Sequence, residues 1–73
     1  MNKSIDLGHL AKNWPSSIVA RREIRKFTGG TISPGTMANL DSRGKGPEGR
    51  FRVGRNTAYP IESLIKWLES RAS

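Results

Sequence analysis

The clearest pattern of apolar and polar positions lies at the end of the chain. Ile61, Leu64, Ile65 and Leu68 recur at i, i+3, i+4 and i+7, directly after Pro60. Proline is favoured where a helix begins, and this spacing puts the four aliphatic side chains on one face. The pattern predicts a C-terminal helix whose apolar stripe, joined by Trp67, belongs to the core and not to a ligand site.

A weaker helical pattern precedes it in the first half of the chain. Ala20, Ile24 and Phe27 recur at i, i+4 and i+7, with basic residues between them, and Gly29-Gly30 follows as a stop signal. We expect a short first helix that begins near Ile18. Its start is poorly marked, because Ala20 offers no oxygen to cap the first backbone N–H groups.

A second helix has a well-marked start. Ser33 suits the N-cap and Pro34 the first helical position, so a helix is predicted from Pro34 to about Ser42. Met37 and Leu40 would then face the first helix. Two helices joined by so short a connection predict a helix-turn-helix.

The outward face of this second helix carries small side chains, from Gly35, Ala38, Asn39 and Ser42. Small side chains let a helix backbone approach a groove closely. Asn39 is the best candidate to read a base, since a carboxamide can pair bidentately with adenine. A surface asparagine without any partner is the alternative interpretation.

The segment after this helix predicts a hairpin. Residues 43–49 (RGKGPEG) are too rich in Gly and Pro for regular structure. A three-residue loop at 54–56 would place Phe51 opposite Tyr59 and Val53 opposite Thr57, on one packed face. We therefore prefer that loop over one of two residues.

The same choice fixes the basic residues of the hairpin. Arg50 and Arg52 would lie on the outer face and Arg55 at the tip, with Asn56 in the left-handed conformation that asparagine tolerates. A hairpin with this arrangement can contact phosphates or a minor groove.

The N-terminal residues 1–17 show no clean period and are interpreted as an arm or a frayed turn of helix; residues 18–73 form the domain. Trp14 is expected to pack on the outside of that domain, and stacking on a base is the alternative. The 73 residues can form one domain with a thin core. The predicted fold is α+β: a small winged helix-turn-helix with two short helices, a two-stranded wing and a C-terminal helix.

Composition argues against several function classes. The chain has no Cys and one His, and its six acidic residues are scattered, so we expect no metal site, no cofactor and no enzyme. No apolar run approaches a membrane span, and no signal-peptide region follows Lys3. We expect a cytoplasmic protein without a membrane partner.

Positive charge is concentrated in two segments. The chain has 13 Lys and Arg against 6 Asp and Glu, a net charge of +7. The segments are Arg21, Arg22, Arg25 and Lys26 against Glu23 (+3), and Arg43, Lys45, Arg50, Arg52 and Arg55 against Glu48 (+4). This concentration favours a polyanionic partner such as nucleic acid, although a merely solvated basic surface is the alternative.

Several of these segments together resemble a known family. They are the S-x-x-T helix start at Ser33 and Thr36, the turn at 44–47, the stretch from Phe51 to Tyr59, and the closing helix around Trp67. In order and spacing they resemble the excisionase and AlpA-like regulators, small winged-helix proteins related to the MerR DNA-binding domain.

The resemblance implies double-stranded DNA binding, with helix 34–42 in the major groove and the hairpin on the backbone or minor groove. Such proteins act in prophage or mobile-element excision or in transcription control, with a recombinase (integrase) or further copies of themselves as partners on the nucleoid. The resemblance puts Thr36, Asn39 and Arg43 on the recognition side and Arg52 and Arg55 on the wing. All candidate DNA-binding residues are Arg21, Arg22, Arg25, Ser33, Thr36, Asn39, Arg43, Lys45, Arg50, Arg52, Arg55 and Asn56.

Two other functions stay open. A protein-interaction adaptor could use the basic face on an acidic partner, and the few arginines on the outer face of helix 34–42 favour it. Binding of RNA or single strands would need exposed aromatic side chains on a sheet, whereas Phe51 and Tyr59 are expected in the core.

Overall fold

The computed structural model describes residues 6–72. Within that range there are four α-helices, one 3₁₀ turn and a three-stranded antiparallel sheet of order β1-β3-β2. The elements are α1 (His9–Lys12), β1 (Ile18–Ala20), the 3₁₀ turn (Arg21–Glu23), α2 (Ile24–Phe27), α3 (Pro34–Ser42), β2 (Phe51–Val53), β3 (Asn56–Pro60) and α4 (Ile61–Arg71). The predicted α+β class is confirmed; residues 1–5 of the predicted arm, Lys3 among them, and residue 73 lie outside the described range.

Helices α3 and α4 begin where the sequence predicts. The Ser33 hydroxyl accepts a hydrogen bond from the backbone N–H of Thr36 at 3.1 Å, and Pro34 occupies the first turn of α3. The predicted apolar stripe of α4 is buried along its whole length, at Ile61, Leu64, Ile65 and Leu68. The prediction that this stripe belongs to the core is confirmed.

The predicted start of the first helix is wrong. Ile18–Ala20 is strand β1, with Val19 opposite Tyr59, so the sheet has a third strand in addition to the predicted two. β-Branched side chains at 18 and 19 suit a strand, and the missing cap at Ala20 leaves a helix there without a start. Helix α2 ends as predicted, at two glycines with φ of 66° and 87°.

The predicted three-residue loop of the hairpin is also wrong. Phe51 lies opposite Ala58 and Val53 opposite Asn56, so the loop is the two residues Gly54 and Arg55. Gly54 has φ of +64°, and no other residue type within 6–72 has positive φ, so Asn56 is not left-handed. A glycine with positive φ at the first loop position is the arrangement of a type II′ turn.

This one-residue shift in register reverses which side chains of β2 lie on the core face of the sheet. Phe51 and Val53 are exposed (37% and 63%) and do not share the core with Tyr59, which is fully buried. Directly paired residues point to the same face of a sheet, so Arg52 lies on the face of Thr57 and Tyr59. Arg52 therefore does not lie on the outer face, as predicted, but on the face that carries the helices.

The segment before β1 packs against the domain. The Trp14 ring meets Phe27 edge-on at 5.1 Å, and the backbone N–H of Leu7 donates to Glu69 of α4 at 2.7 Å. The Trp14 indole N–H also donates to the carbonyl of Ile18 at 2.9 Å, and the backbone N–H of Ile18 donates to the Ser16 hydroxyl at 3.2 Å. These side chains occupy backbone groups of Ile18 at the edge of β1.

The loop between α3 and β2 is fixed by a hydrogen bond from a side chain of α4. The indole N–H of Trp67 donates to the carbonyl of Lys45 at 2.8 Å, and the Arg71 guanidinium lies 5.0 Å from the centre of the same ring. Pro47 of this loop is buried. Across the described residues, none of the helices combines the length and the apolar character needed to span a bilayer.

Candidate nucleic-acid interface

An open cleft separates α3 from the β2–β3 hairpin. One wall is formed by Ala38 and Ser42 of α3, and the other by Arg52 and Thr57 of the hairpin. The loop 44–50 closes one end. Because the α3 wall has small side chains, the cleft is shaped by backbone and by arginines of the opposite wall.

Three arginines of the hairpin segment line this cleft: Arg50, Arg52 and Arg55. All three are exposed, and Glu48 is the one exposed acid among the lining residues. The two-residue loop accounts for the position of Arg52, since the longer loop would have turned its side chain to the opposite face. The cleft therefore presents a positive surface next to α3.

The exposed face of α3 continues from this cleft. Thr36, Asn39 and Arg43 lie at i, i+3 and i+7 and line one shallow depression with Gly35 and Leu40. Asn39 points away from the core, because Met37 and Asp41 on the other side of the helix are buried. The structure brings together the three residues that were assigned to recognition.

A hydrogen-bonded cluster of three side chains lies at the base of the cleft, and we call it the Asp41 cluster. Asp41 Oδ2 accepts from Tyr59 Oη at 2.6 Å and from Arg21 Nη2 at 2.6 Å, and Arg21 Nε donates to Tyr59 Oη at 3.0 Å. Asp41 is 4% exposed and Tyr59 fully buried. The cluster joins α3, β3 and the 3₁₀ turn, and so sets α3 against the sheet.

The cluster changes the acidity of its members. Burial, together with the hydrogen bond to Asp41, raises the pKa of Tyr59 from 10.0 to about 12. Burial acts to lower the pKa of Arg21, but the hydrogen bonds to Tyr59 and Asp41 raise it overall. Near neutral pH the cluster thus holds a neutral phenol and a guanidinium cation.

Sequence reasoning assigned no role to Asp41. Its carboxylate is buried and paired with Arg21 at the base of the cleft, so the guanidinium compensates its negative charge there. The signal was present in the spacing, because Asp41 follows the core residue Met37 by one helical turn. Arg21, a candidate for DNA contact, is 25% exposed and bonded within the cluster.

The other candidate residues lie outside the cleft. They are Ser33, Lys45, Arg22, Arg25 and Asn56. The Ser33 hydroxyl caps α3, while Lys45 and Arg25 are exposed. Arg22 Nη1 donates to Asn56 Oδ1 at 3.3 Å, and Asn56 shares the sheet face of Val53, opposite to Arg52. The DNA-binding roles of all candidate residues stay predictions.

The chemistry available on this surface is cationic and hydrogen-bonding. Among residues 6–72 there is no group of three or more His, Asp or Glu side chains that could hold a metal ion. Neither a scan against protein-family models nor a search of curated proteins finds a match to the chain.

Proposed function

We propose that this protein binds double-stranded DNA as a winged helix-turn-helix, with α3 as the recognition helix and the β2–β3 hairpin as the wing. The observation that carries the proposal is the shared surface of α3 and the arginines of the hairpin. Its biological role would be that of a regulator or excisionase acting on the nucleoid, without catalysis of its own. A recombinase or further copies of the chain would be its partners there.

The size of α3 supports insertion into a major groove. Its nine residues span about 13 Å, and a helix with side chains is about 10–12 Å across, close to the roughly 12 Å width of that groove. Gly35 and Ala38 add little bulk beside Asn39. The carboxamide of Asn39 can therefore approach the edge of a base, where adenine offers it a donor and an acceptor.

The hairpin supplies contacts to phosphates. Arginine donates several N–H groups in a fixed fork that matches phosphate oxygens. Arg52 lies on the wall of the cleft that faces α3, and Arg55 is in the hairpin loop. A duplex with its major groove on α3 would then place an adjacent backbone in the cleft.

Salt dependence of duplex binding tests the proposal. If Arg43, Lys45, Arg50, Arg52 and Arg55 each neutralise one phosphate, log K falls against log salt with a slope of about -4.5. The measurement is a fluorescence-anisotropy titration of a labelled random duplex at several salt concentrations. Absence of binding in dilute salt, or affinity that ignores salt, would overturn the proposal.

Single substitutions separate the roles of hairpin and helix. Arg52→Ala is expected to weaken binding to selected and random duplexes alike and to make the slope shallower by about 0.9. Asn39→Ala should lower affinity only for duplexes selected from a random pool, at one base position. Lys12→Ala, on α1, removes the same charge away from the cleft and serves as the control. Equal losses for Arg52→Ala and Lys12→Ala would mean that net charge alone explains binding.

A further inference from the structure

The face of the sheet opposite to the helices is open and apolar. Ile18, Phe51 and Val53 on this face are 39%, 37% and 63% exposed. The pairing of β1, β3 and β2 puts them on the same side as Ala20 and Ala58. An antiparallel sheet with one solvated face normally alternates apolar and polar residues, and here both faces carry apolar side chains.

A groove extends this face beyond β1. Trp14 and Pro15 line it together with Ile18 and Ala20, and both Glu23 and Lys26 stand at its side. We call the sheet face and this groove together the open face. It lies on the other side of the sheet from Arg52 and Thr57 of the candidate DNA interface, and Phe51 at the sheet edge borders both surfaces.

Basic side chains border the open face. Arg22 reaches it through its hydrogen bond to Asn56, and Lys26 lines the groove beside the single acid Glu23. The segment that follows β1 carries Arg22, Arg25 and Lys26 against one acid, Glu23, once Arg21 is paired with Asp41. An apolar centre with a basic rim complements an apolar surface with acidic flanks.

We infer that the open face is a docking site for a partner protein, specifically for a short amphipathic helix with acidic flanks. Strands β1 and β2 are three residues long and neighbouring strands lie about 4.8 Å apart, so the part of the face that all three strands share is roughly 10 Å by 10 Å, which two turns of a helix cover. A second copy of this chain fits poorly, because a stable interface needs about 800 Å² from each partner. Each copy also carries a net charge of +7, so two copies repel.

The docked helix would place aliphatic side chains on Phe51 and Val53 and acidic ones near Arg22 and Lys26. DNA on the α3 side leaves this face free, so one molecule can hold DNA and a protein helix at once. The chain would then recruit a second protein to the DNA that it binds. The docking site itself does not depend on DNA binding.

Selection from displayed random peptides tests the inference. The bait is the full chain, and enriched peptides of about 16 residues, or four helical turns, are expected to combine acidic residues with Leu, Ile or Phe at helical spacing. Their Kd should rise about tenfold with Val53→Thr, since a hydroxyl would be buried without a partner. Arg22→Gln should also weaken them, whereas Arg52→Ala should leave their Kd unchanged.

Two control measurements test whether Val53→Thr affects folding or DNA binding. Val53 is exposed, so Val53→Thr should retain the melting temperature and the duplex affinity of the parent chain. The inference is overturned if no peptide is enriched, if enriched peptides bind Val53→Thr as tightly as the parent, or if only Arg52→Ala abolishes their binding. It is equally overturned if ultracentrifugation shows a dimer that Val53→Thr dissociates, or if Val53→Thr lowers the affinity of the chain for duplex DNA.

Discussion

The hydroxyl of Tyr59 on β3 donates a 2.6 Å hydrogen bond to Oδ2 of Asp41 on α3, although 18 residues separate the two in the chain. The same oxygen accepts from Arg21, so one carboxylate atom connects three elements. Because the cluster is buried against the sheet, α3 cannot rotate without exposing or separating these groups. The orientation of α3 towards the hairpin thus depends on Asp41.

Asp41→Ala should destabilise the fold. The substitution leaves the buried Tyr59 hydroxyl without its acceptor and the partly buried Arg21 without its counter-ion, at a cost of about 2–3 kcal/mol in the free energy of unfolding. Urea denaturation followed by tryptophan fluorescence measures the change. Glu48→Ala removes an exposed carboxylate from the neighbouring loop and should leave stability unchanged. Equal stability of both variants would contradict a structural role for the cluster.

The pKa of Tyr59 predicts a loss of stability at alkaline pH. Its folded value of about 12 lies above the ordinary value of 10.0, so the phenol binds its proton more tightly in the folded chain. The associated stability is complete below pH 10 and is lost as pH rises towards 12, with a slope of at most about 1.4 kcal/mol per pH unit.

The chain has a single tyrosine, so the ultraviolet absorbance of the phenolate reports Tyr59 alone. We expect a titration midpoint near 12 for the folded chain and near 10 in denaturant. Tyr59→Phe should remove the part of the alkaline destabilisation that comes from this group. A folded-chain midpoint near 10 would show that the hydroxyl is not held as described.

Two glycine substitutions should act in opposite directions. A methyl group on Gly46 would overlap Oδ1 of Asp41, whereas one on Gly35 would have Ser33 Oγ at 3.9 Å as its nearest neighbour. Gly46→Ala is therefore expected to lower stability by about 1–3 kcal/mol through overpacking. Gly35→Ala, inside α3, should raise it by up to about 0.8 kcal/mol. Thermal melts of both variants give the comparison, and a neutral Gly46→Ala would mean that the loop 43–50 adapts freely.

Engineered cysteines can test the register of the hairpin. Arg52 and Thr57 lie directly opposite each other, at a pair position where Cα atoms are close enough for a disulfide. The chain has no cysteine of its own, so Arg52→Cys with Thr57→Cys should oxidise to an intramolecular bond. Val53→Cys with Thr57→Cys would be the opposed pair with a three-residue loop, and in the present register it should stay reduced. Mass measurement after mild oxidation distinguishes the two.

Local sequence signals correctly predicted the elements that are determined by residues close together in the chain. The cap at Ser33 and the stripe of α4 involve contacts within one or two helical turns, and both helices lie where these signals place them. The alternation of Phe51 and Val53 with Arg52 did not determine the hairpin register, because either loop length keeps it, and the local signal for the shorter loop was Gly54 at its first position. The register is decided by Tyr59, which packs opposite Val19 of a strand that the sequence pattern assigned to a helix.

The candidate interface likewise contains some residues that could be grouped from the sequence and others that only the fold brings together. Thr36, Asn39 and Arg43 could be grouped from helical spacing alone, and they do share one surface. The partner of Asp41 could not, because Arg21 is 20 residues away and only the folded sheet brings the two together. Placing Arg22 on the open face likewise required the contact with Asn56, 34 residues further along the chain.

The two edges of the sheet have different consequences for aggregation. At the β1 edge, the side chains of Trp14 and Ser16 already hydrogen-bond to the backbone groups of Ile18, so these groups are not available to pair with a strand of another chain. At the β2 edge the register points the backbone N–H and C=O of Arg52 outward. An antiparallel pairing of two copies centred there would set Arg52 against Arg52, with like charges face to face. The sheet is thereby protected from growing into fibrils by side-chain capping at one edge and by charge at the other.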